Sequence, residues 1–355
     1  MKRCKRCILP ENYPGITFDE EGICNYCIAH KGREYLGSEA LKEKIKAFLQ
    51  TKSDKNDHYD CVLALSGGRD STYLLYYLVK VLNLRVLAYF IDNGFIPEQT
   101  KLNIKSMVDI LGVNLAIEKN ECLEKCIRHH LLSFIHKPSA PMVGLMCTGC
   151  RLGMDIKIPA FARNNRVPVI IIGSNPLDDR SFKQMIMALD PNRSRKKGSF
   201  ILGYLLQVIR NPMWILNYTC LVTQIKEYYH HFYIKRSRKG DILRITPFYS
   251  YIRWEEKALI STIQDELNWG ETPGAESTWR GDCDIALLKL YLYKKTLGFN
   301  DRDEGLSYLI RDSQVSREEA LERLEKEGKI SEEVIKEILD KLGLDFSILK
   351  IALEP

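Results

Sequence analysis

The sequence predicts an α/β protein: a parallel sheet covered by helices on both faces, with a cysteine-rich head before it and a mostly helical part after it. Three observations carry this reading. Four apolar runs, CVLALS (61–66), RVLAYFIDN (85–93), NLAIEK (114–119) and VPVIIIGSN (167–175), alternate with helix-like segments. Such runs, lacking the polar alternation of a half-exposed strand, mark a parallel sheet buried on both sides. A glycine-rich turn, SGGRDS, follows the first run, and two Cys-x-x-Cys pairs stand within the first 27 residues.

Taken in order, residues 1–35 form the head. Cys4-x2-Cys7 and Cys24-x2-Cys27 enclose a stretch rich in turn formers, among them Pro10, Pro14, Gly15 and Gly22. Paired knuckles at this separation are a zinc-ribbon signal, with four thiolates closing a tetrahedral site. A unit this small cannot bury enough apolar surface to fold alone, so the metal acts as a folding element. Residues 36–58 hold an amphipathic helix, SEALKEKIKAFLQ (38–50), and a polar linker. Residues 59–192 carry the alternating pattern, with helices expected over 70–82, 97–111 and 121–136.

Residues 193–245 read as an apolar and basic insertion. The run SFILGYLLQVIRNPMWILNYTCLVTQI (199–225) is interrupted by Arg210, Asn211 and Pro212. A spanning helix needs about 20 mostly apolar residues without such a break. The expectation is a buried helical hairpin broken at Asn211-Pro212, with a partner-docking surface or a peripheral membrane contact as the alternatives. RSRKK (193–197) and KRSRKG (235–240) flank it. Residues 246–355 are expected to be helical. Ser316, with Glu319 three residues on, reads as a helix cap whose helix closes at Gly328, and Ser331 repeats the device.

Fifty-two basic against 46 acidic residues give a net charge of +6 over 355 residues. That mild excess suits an anionic small molecule and does not call for nucleic acid. Eleven cysteines with no apolar export segment ahead of them point to metal or catalytic use in the cytoplasm. Cys61, Cys122, Cys126 and Cys220 sit in apolar or helical settings and read as core residues.

A glycine turn between a strand and a helix is built for phosphate. Its N–H groups converge, Gly67 and Gly68 admit close approach, and the helix N-terminus adds a favourable dipole. Ser66 and Ser71 add hydroxyls and Arg69 adds charge. The turn is not the GxxxxGK[ST] loop, being shorter and lacking the lysine. SGGxDS in this position resembles the PP-loop of the ATP pyrophosphatases, which cleave ATP between the α and β phosphates and transfer AMP to a substrate oxygen. That resemblance implies ATP and Mg2+, with Ser66, Gly67, Gly68, Asp70 and Ser71 around pyrophosphate and Arg69 in the variable slot. Asp92, in FIDNG, stands where the second strand meets the nucleotide. IIIGSNPLDD (170–179) resembles the GHNLDD signature of tRNA-thiolating PP-loop enzymes. It places Gly173 at the nucleotide and makes Asp178 and Asp179 candidates near magnesium or the reacting centre. In those relatives a CxxC and one later cysteine ligate an iron–sulfur cluster. Cys147, Cys150 and Cys283 permit the same, or a second zinc, or an inert buried pair.

Across the chain to about residue 330, the head, LALSGGRDSTYLL, GLMCTGCRLG, GSNPLDDR, TWRGDC and LYLYKKTLGFNDRDEGLSYLIRDSQVSREEAL together resemble the N-acetyl sugar amidotransferases of WbpG and pseudaminic-acid type, which serve bacterial surface polysaccharides. The resemblance implies conversion of a sugar acetamido group to acetamidino through an adenylylated intermediate. The acceptor would be a nucleotide-sugar or acidic sugar, and ammonia would come from glutaminase and synthase-like partner subunits, since no segment here supports a glutaminase. Arg280 and Asp282 are plausible substrate contacts. Lys294 and Lys295 read equally as phosphate contacts or as a solvated helix face. The rival readings are tRNA thiolation and a nucleotide-binding scaffold.

Overall fold

The computed structural model describes residues 1–354 apart from 54, 55, 57, 120, 121, 148, 151, 152, 177–180, 190–196, 230–239 and 274–276. Its centre is one all-parallel sheet of β1 (Cys61–Leu65), β2 (Val86–Asp92), β3 (Asn114–Lys119), β4 (Val169–Ile172) and β5 (Leu243–Ile245) in the order β3-β2-β1-β4-β5. Leu63 on β1 pairs with Ala88 on β2 and Ile171 on β4.

The strand pleat sends alternate residues to opposite faces. Cys61, Leu63 and Leu65 enter one apolar core with Ala88, Phe90 and Ile171, while Val62, Leu87, Tyr89 and Ile170 enter another on the far side. Both faces are therefore covered over β1, β2 and β4, as their unbroken apolar runs require. The expectation is corrected for β3, which has no buried residue and exposes Ile117. β3 forms one edge, and its Glu118 and Lys119 put charge there, a common guard against edge-to-edge pairing. β5, at the other edge, was not expected. Three residues beside a basic run are too short to carry a strand pattern.

The helices follow in chain order: α1 (Gly37–Gln50), α2 (Arg69–Tyr76), α3 (Glu98–Leu111), α4 (Cys122–His136), α5 (Ala140–Leu145), α6 (Ile158–Asn164), α7 (Phe182–Met187), α8 (Lys197–Arg210), α9 (Tyr218–Tyr229), α10 (Glu256–Leu267), α11 (Asp284–Leu297), α12 (Asp301–Arg311), α13 (Arg317–Glu327), α14 (Glu332–Lys341) and α15 (Phe346–Leu353). The helix expected over 70–82 is α2 continued by a π turn at Tyr77–Val81. The two cap expectations hold: Ser316 Oγ accepts the Glu319 N–H and Ser331 Oγ accepts the Val334 N–H. Cys61, Cys126 and Cys220 are buried, and the Cys122 side chain lies outside the described residues.

A third core joins the head, the hairpin region and the C-terminal helices. Cys4, Leu9 and Tyr13 share it with Leu131, Phe134, Trp214, Leu288 and Ile338. The apolar insertion breaks where expected, with α8 ending at Arg210 and one 3-10 turn (Pro212–Ile215) leading to α9. Its turn is pinned. Asn211 Nδ2 donates to the Ser133 carbonyl at 2.7 Å, and Trp214 stacks on His130 with ring centroids 3.9 Å apart. The burial expectation is corrected: Leu202, Leu205 and Ile209 on α8 and Ile225 on α9 are exposed. Among the described residues no helix is long and apolar enough to cross a membrane.

Candidate active site at the carboxyl ends of β1 and β4

The strand order reverses between β1 and β4, because β2 and β3 lie to one side of β1 and β4 and β5 to the other. Connections leaving in opposite directions open a crevice at the carboxyl ends of these strands. A cavity of about 380 Å3 fills that crevice.

The 66–71 loop forms one wall. Gly67 has φ +78°, and a Cβ there would stand 2.7 Å from Thr100 Cγ2, so the position excludes a side chain on both counts. At Gly68 a Cβ would meet Asp282 Oδ2 at 2.7 Å. The loop closes on itself. Ser66 N–H donates to Ser71 Oγ (3.1 Å), Gly68 N–H to Ser66 Oγ (3.2 Å), and Ser71 Oγ donates to the Gly68 carbonyl (3.2 Å). α2 starts at the next residue, which sets its positive end at the cavity. Ser66, Gly68, Asp70, Ser71 and Gly173 line the space. Asp70 is oriented by donors from two other segments, Asn175 Nδ2 and Trp254 Nε1, each at 2.8 Å.

Two expected contacts have partners of their own, although Arg69 also lines the cavity. Arg69 is 5% exposed and its guanidinium is committed to Glu256 Oε1 (2.6 Å) and Thr278 Oγ1 (2.7 Å), between the rings of Trp254 and Trp279. It ties the loop to the C-terminal part and its charge is already compensated. Asp92 accepts the Gly94 N–H at 2.9 Å and caps that turn; Ile91 and Asn93 line the cavity beside it. Asp178 and Asp179 lie outside the described residues. Lys294 and Lys295 occupy the exposed end of α11, where Lys295 covers the Tyr291 ring, and neither lines the cavity.

The opposite wall comes from residues 278–305. Arg280, Asp282 and Cys283 line the cavity, joined by Asp301, Glu304 and Gly305 of α12. Asp301 pairs with Lys183, and with Arg280 Nε at 3.7 Å. Burial would raise the Asp301 carboxyl, but Lys183 and Arg280 outweigh it and hold it down to about 2. Glu304 takes the Tyr13 hydroxyl from the head, the Phe182 N–H (2.8 Å) and the Ser181 hydroxyl (3.1 Å). Burial nonetheless dominates and pushes its pKa up to about 7. Two carboxylates on one helix face thus titrate far apart, the condition for distinct acid–base roles.

Sequence reasoning missed Lys183, Asp301 and Glu304. A signal was present: FNDRDEG carries four charged residues in succession between apolar neighbours. Only part of that charge is needed for capping, where Asn300 and Asp303 form the box.

Gly305 lets Trp279 close this wall, since a Cβ there would fall 1.4 Å from the indole. The ring has no free direction, packed as it is on Arg69, Arg302 and Trp254 with Nε1 on Glu256. Gly305→Ala is expected to destabilise by about 3 kcal/mol or more by overpacking and to weaken ATP binding, measurable by urea unfolding and calorimetry.

Cys150 and Cys283 face the cavity, and Asn93 Nδ2 reaches Cys283 Sγ at 3.4 Å and Cys150 Sγ at 3.8 Å. Lys289 Nζ lies 3.3 Å from Cys147 Sγ. Burial pushes the Cys150 thiol up and the Cys283 thiol up to about 12. Thiolates around one tetrahedral ion stand about 3.8 Å apart. Among the described residues only Cys4, Cys7, Cys24 and Cys27 bring all their ligand atoms within 4.8 Å of one another. Their Cys4–Cys27 and Cys7–Cys24 sulfur separations of 3.9 and 3.7 Å match a tetrahedral thiolate centre. Cys147, Cys150 and Cys283 do not bring their sulfurs all within 4.8 Å of one another.

Residues 281–350 match the family model described as "LPS biosynthesis protein WbpG-like, C-terminal domain". Over 102 residues, 29% of this chain, the sequence is 26% identical to an uncharacterized protein of Methanocaldococcus jannaschii, and the match spans 36% of that protein's length. Among solved structures the chain is similar to the U34-tRNA thiolase NcsA from Methanococcus maripaludis with its 4Fe-4S cluster. Identity is 16%, coverage 93% of this chain and 91% of that one, and the TM-score 0.36. It is also similar to NMN synthetase from Francisella tularensis, with 15% identity, coverage of 59% and 98%, and a TM-score of 0.28. For the NH3-dependent NAD synthetase from Campylobacter jejuni the values are 12%, 65% and 91%, and 0.29. The segment that matches the WbpG-like model, residues 281–350, is the one that brings Asp282, Cys283, Asp301 and Glu304 to the cavity.

Proposed function

We propose that the protein is an ATP-dependent amidotransferase that converts a sugar acetamido group to acetamidino, with release of AMP and pyrophosphate, in the making of a bacterial surface polysaccharide. The observation that carries this reading is a single cavity in which the SGGxDS loop faces side chains of the WbpG-like domain.

An amide oxygen is a poor leaving group, and adenylylation makes it a good one. The acetamido oxygen attacks the α-phosphorus of ATP and the bond to the β-phosphate breaks. Pyrophosphate leaves into the cradle of Ser66, Gly67, Gly68 and Ser71, where backbone dipoles and Mg2+ would offset its charge. Ammonia then adds to the imidate carbon, the carbon–oxygen bond breaks and AMP departs. Arg280, with Lys183 behind it, offers positive charge to an acidic or phosphorylated acceptor. We read the head as a structural zinc site. A cluster held by Cys147, Cys150 and Cys283 would supply an open iron as a Lewis acid for an acceptor oxygen.

Ammonia is mostly protonated at neutral pH, and this reading takes its source to be a partner glutaminase. Glu304, with a pKa near 7, is suited to remove the ammonium proton at the cavity wall. With free ammonium salt, kcat/KM is expected to rise with pH through about 7, and Glu304→Gln to lower it about 10²–10⁴-fold and flatten that limb. The same group sets a stability trend. Its folded pKa lies above the ordinary 4.5, so the folded state holds the extra proton between these values. Stability falls by up to about 3 kcal/mol as pH rises through that window. Glu304→Gln should therefore melt higher than the wild type at pH 8 and about equally at pH 4.5. An unchanged pH–rate profile in the variant would remove Glu304 from the mechanism.

The cysteines at the cavity favour thiolation of tRNA as the second reading. One assay separates the two. Anaerobically prepared protein is incubated with ATP, Mg2+ and ammonium salt, together with either UDP-linked diacetamido sugars or unmodified tRNA. AMP that depends on the sugar, with one acceptor oxygen replaced by NH, is the expected result. AMP that depends on tRNA alone would replace this reading with thiolation, and AMP with neither would leave the scaffold reading.

A further inference from the structure

We propose that the α8–α9 hairpin is a docking face for an anionic lipid surface, lying in the interface without crossing it. The first observation is the pattern of exposure. On α8, Leu202, Leu205 and Ile209 recur at i, i+3 and i+7, and on α9, Tyr218 and Ile225 recur at i and i+7; all are exposed, as is Leu216 in the linking turn. These spacings place each set on one helical face. The opposite side is held firmly. Gly203 sits where a Cβ would clash with the Met187 carbonyl, Trp214 stacks on His130, and His129 Nε2 meets the Met213 carbonyl at 2.7 Å. The hairpin is thus a fixed platform whose apolar stripes have no covering element among the described residues.

Charge identifies the occupant. Residues 191–240 hold ten Lys and Arg and one acidic residue, Glu227, a net of +9 in a chain whose total is +6. The remaining residues, with 42 basic and 45 acidic, are slightly acidic. All the excess positive charge of the protein is therefore concentrated, in sequence, in the segment that contains this exposed apolar hairpin. A neutral apolar partner accounts for the stripes but not for the basic runs that flank the hairpin in sequence, RSRKK (193–197) and KRSRKG (235–240). A bilayer with anionic headgroups accounts for both, since apolar side chains enter the headgroup boundary and Lys and Arg meet the phosphates. Arg210 and Lys226, both exposed, lie within the hairpin itself. This inference is independent of the chemistry assigned to the cavity.

The test is flotation of the full chain with vesicles of phosphatidylcholine alone or with about 30 mol% phosphatidylglycerol, compared with the exposed-site variant Leu205→Glu/Ile209→Glu/Ile225→Glu. The wild type is expected to partition at least about tenfold more strongly to the anionic vesicles, and to lose most of that binding at about 0.5 M NaCl. The variant should lose about tenfold or more while keeping its melting temperature and its ATP affinity. Equal partition to both vesicle types, no vesicle binding by the wild type, or undiminished binding by the variant would overturn the proposal. So would a wild-type dimer by light scattering that ignores vesicles and that the variant breaks, because the stripes would then cover a second copy.

Discussion

Replacing Cys24 by serine, or treating the protein with a chelator, is expected to abolish activity together with the zinc binding proposed for the head. Four thiols this close cannot all ionise without a cation. Hydrogen bonds from Cys24 and Cys27 pull the Cys7 thiol down, while hydrogen bonds to Cys24 and Cys7 push the Cys27 thiol up. Metal binding to such sites in peptides contributes about 10–16 kcal/mol of folding free energy. The head is also fastened to the cavity wall. Arg3 pairs with Asp303 at 2.7 Å, Ile8 N–H donates to Ser307 Oγ at 3.3 Å, and Tyr13 donates to Glu304. Loss of the head should therefore release the α12 carboxylates into water. Elemental analysis should find about one zinc per chain in the wild type and almost none in Cys24→Ser. The variant should melt about 10 °C lower and form no acceptor-dependent AMP. A variant with full activity and no metal would show the head to be unconnected to the site.

Glu256→Ala should be the most damaging single change outside the metal site. The Glu256 carboxylate is 3% exposed and receives Arg69 at 2.6 Å, Arg323 at 2.7 Å and the Trp279 indole N–H. Burial would raise its pKa, but the Arg69 and Arg323 guanidinium groups outweigh that and hold it at about 2. Alanine removes the closer of the two carboxylates beside buried Arg69 and leaves it only Asp70 Oδ1 at 3.7 Å, at a cost of about 3 kcal/mol. Because Arg69 follows Gly68 directly, the loop should shift and ATP affinity should fall. Glu256→Gln keeps an acceptor and should cost less. The depressed pKa also fixes a pH dependence. This carboxylate's contribution is complete above its ordinary value of 4.5 and is lost as pH falls toward 2. Urea unfolding at pH 7 and pH 4 would read both effects, and equal stability of Glu256→Ala and the wild type at pH 7 would contradict the network.

The sheet was legible because its signals are local. β1, β2 and β4 are short apolar runs, and the strand–turn–helix pattern around the loop lies within a few residues, although the atoms that exclude side chains at Gly67 and Gly68 belong to Thr100 and Asp282. β5 escaped because three residues carry no period, and the hairpin was misjudged in burial because apolar spacing reports a helix face without reporting what covers it. The site was half legible for the same reason. The loop wall is contiguous in sequence, whereas the facing wall assembles Lys183, Arg280, Asp301 and Glu304 with Tyr13 from the head, and nothing in sequence spacing links residue 13 to residue 304. Arg69 shows the converse. Its place in the loop suggested phosphate, but its long side chain finds a partner 187 positions away.

The central claim is that the acetamido oxygen becomes bonded to the α-phosphorus of ATP. A diacetamido nucleotide-sugar labelled with heavy oxygen in its acetamido groups tests it directly when incubated with the protein, ATP, Mg2+ and ammonium salt. Mass spectrometry of the AMP should find the label transferred into it, in step with amidine formation. Unlabelled AMP, with the acetamido oxygen still on the sugar, would mean that water attacks phosphorus and would contradict the mechanism.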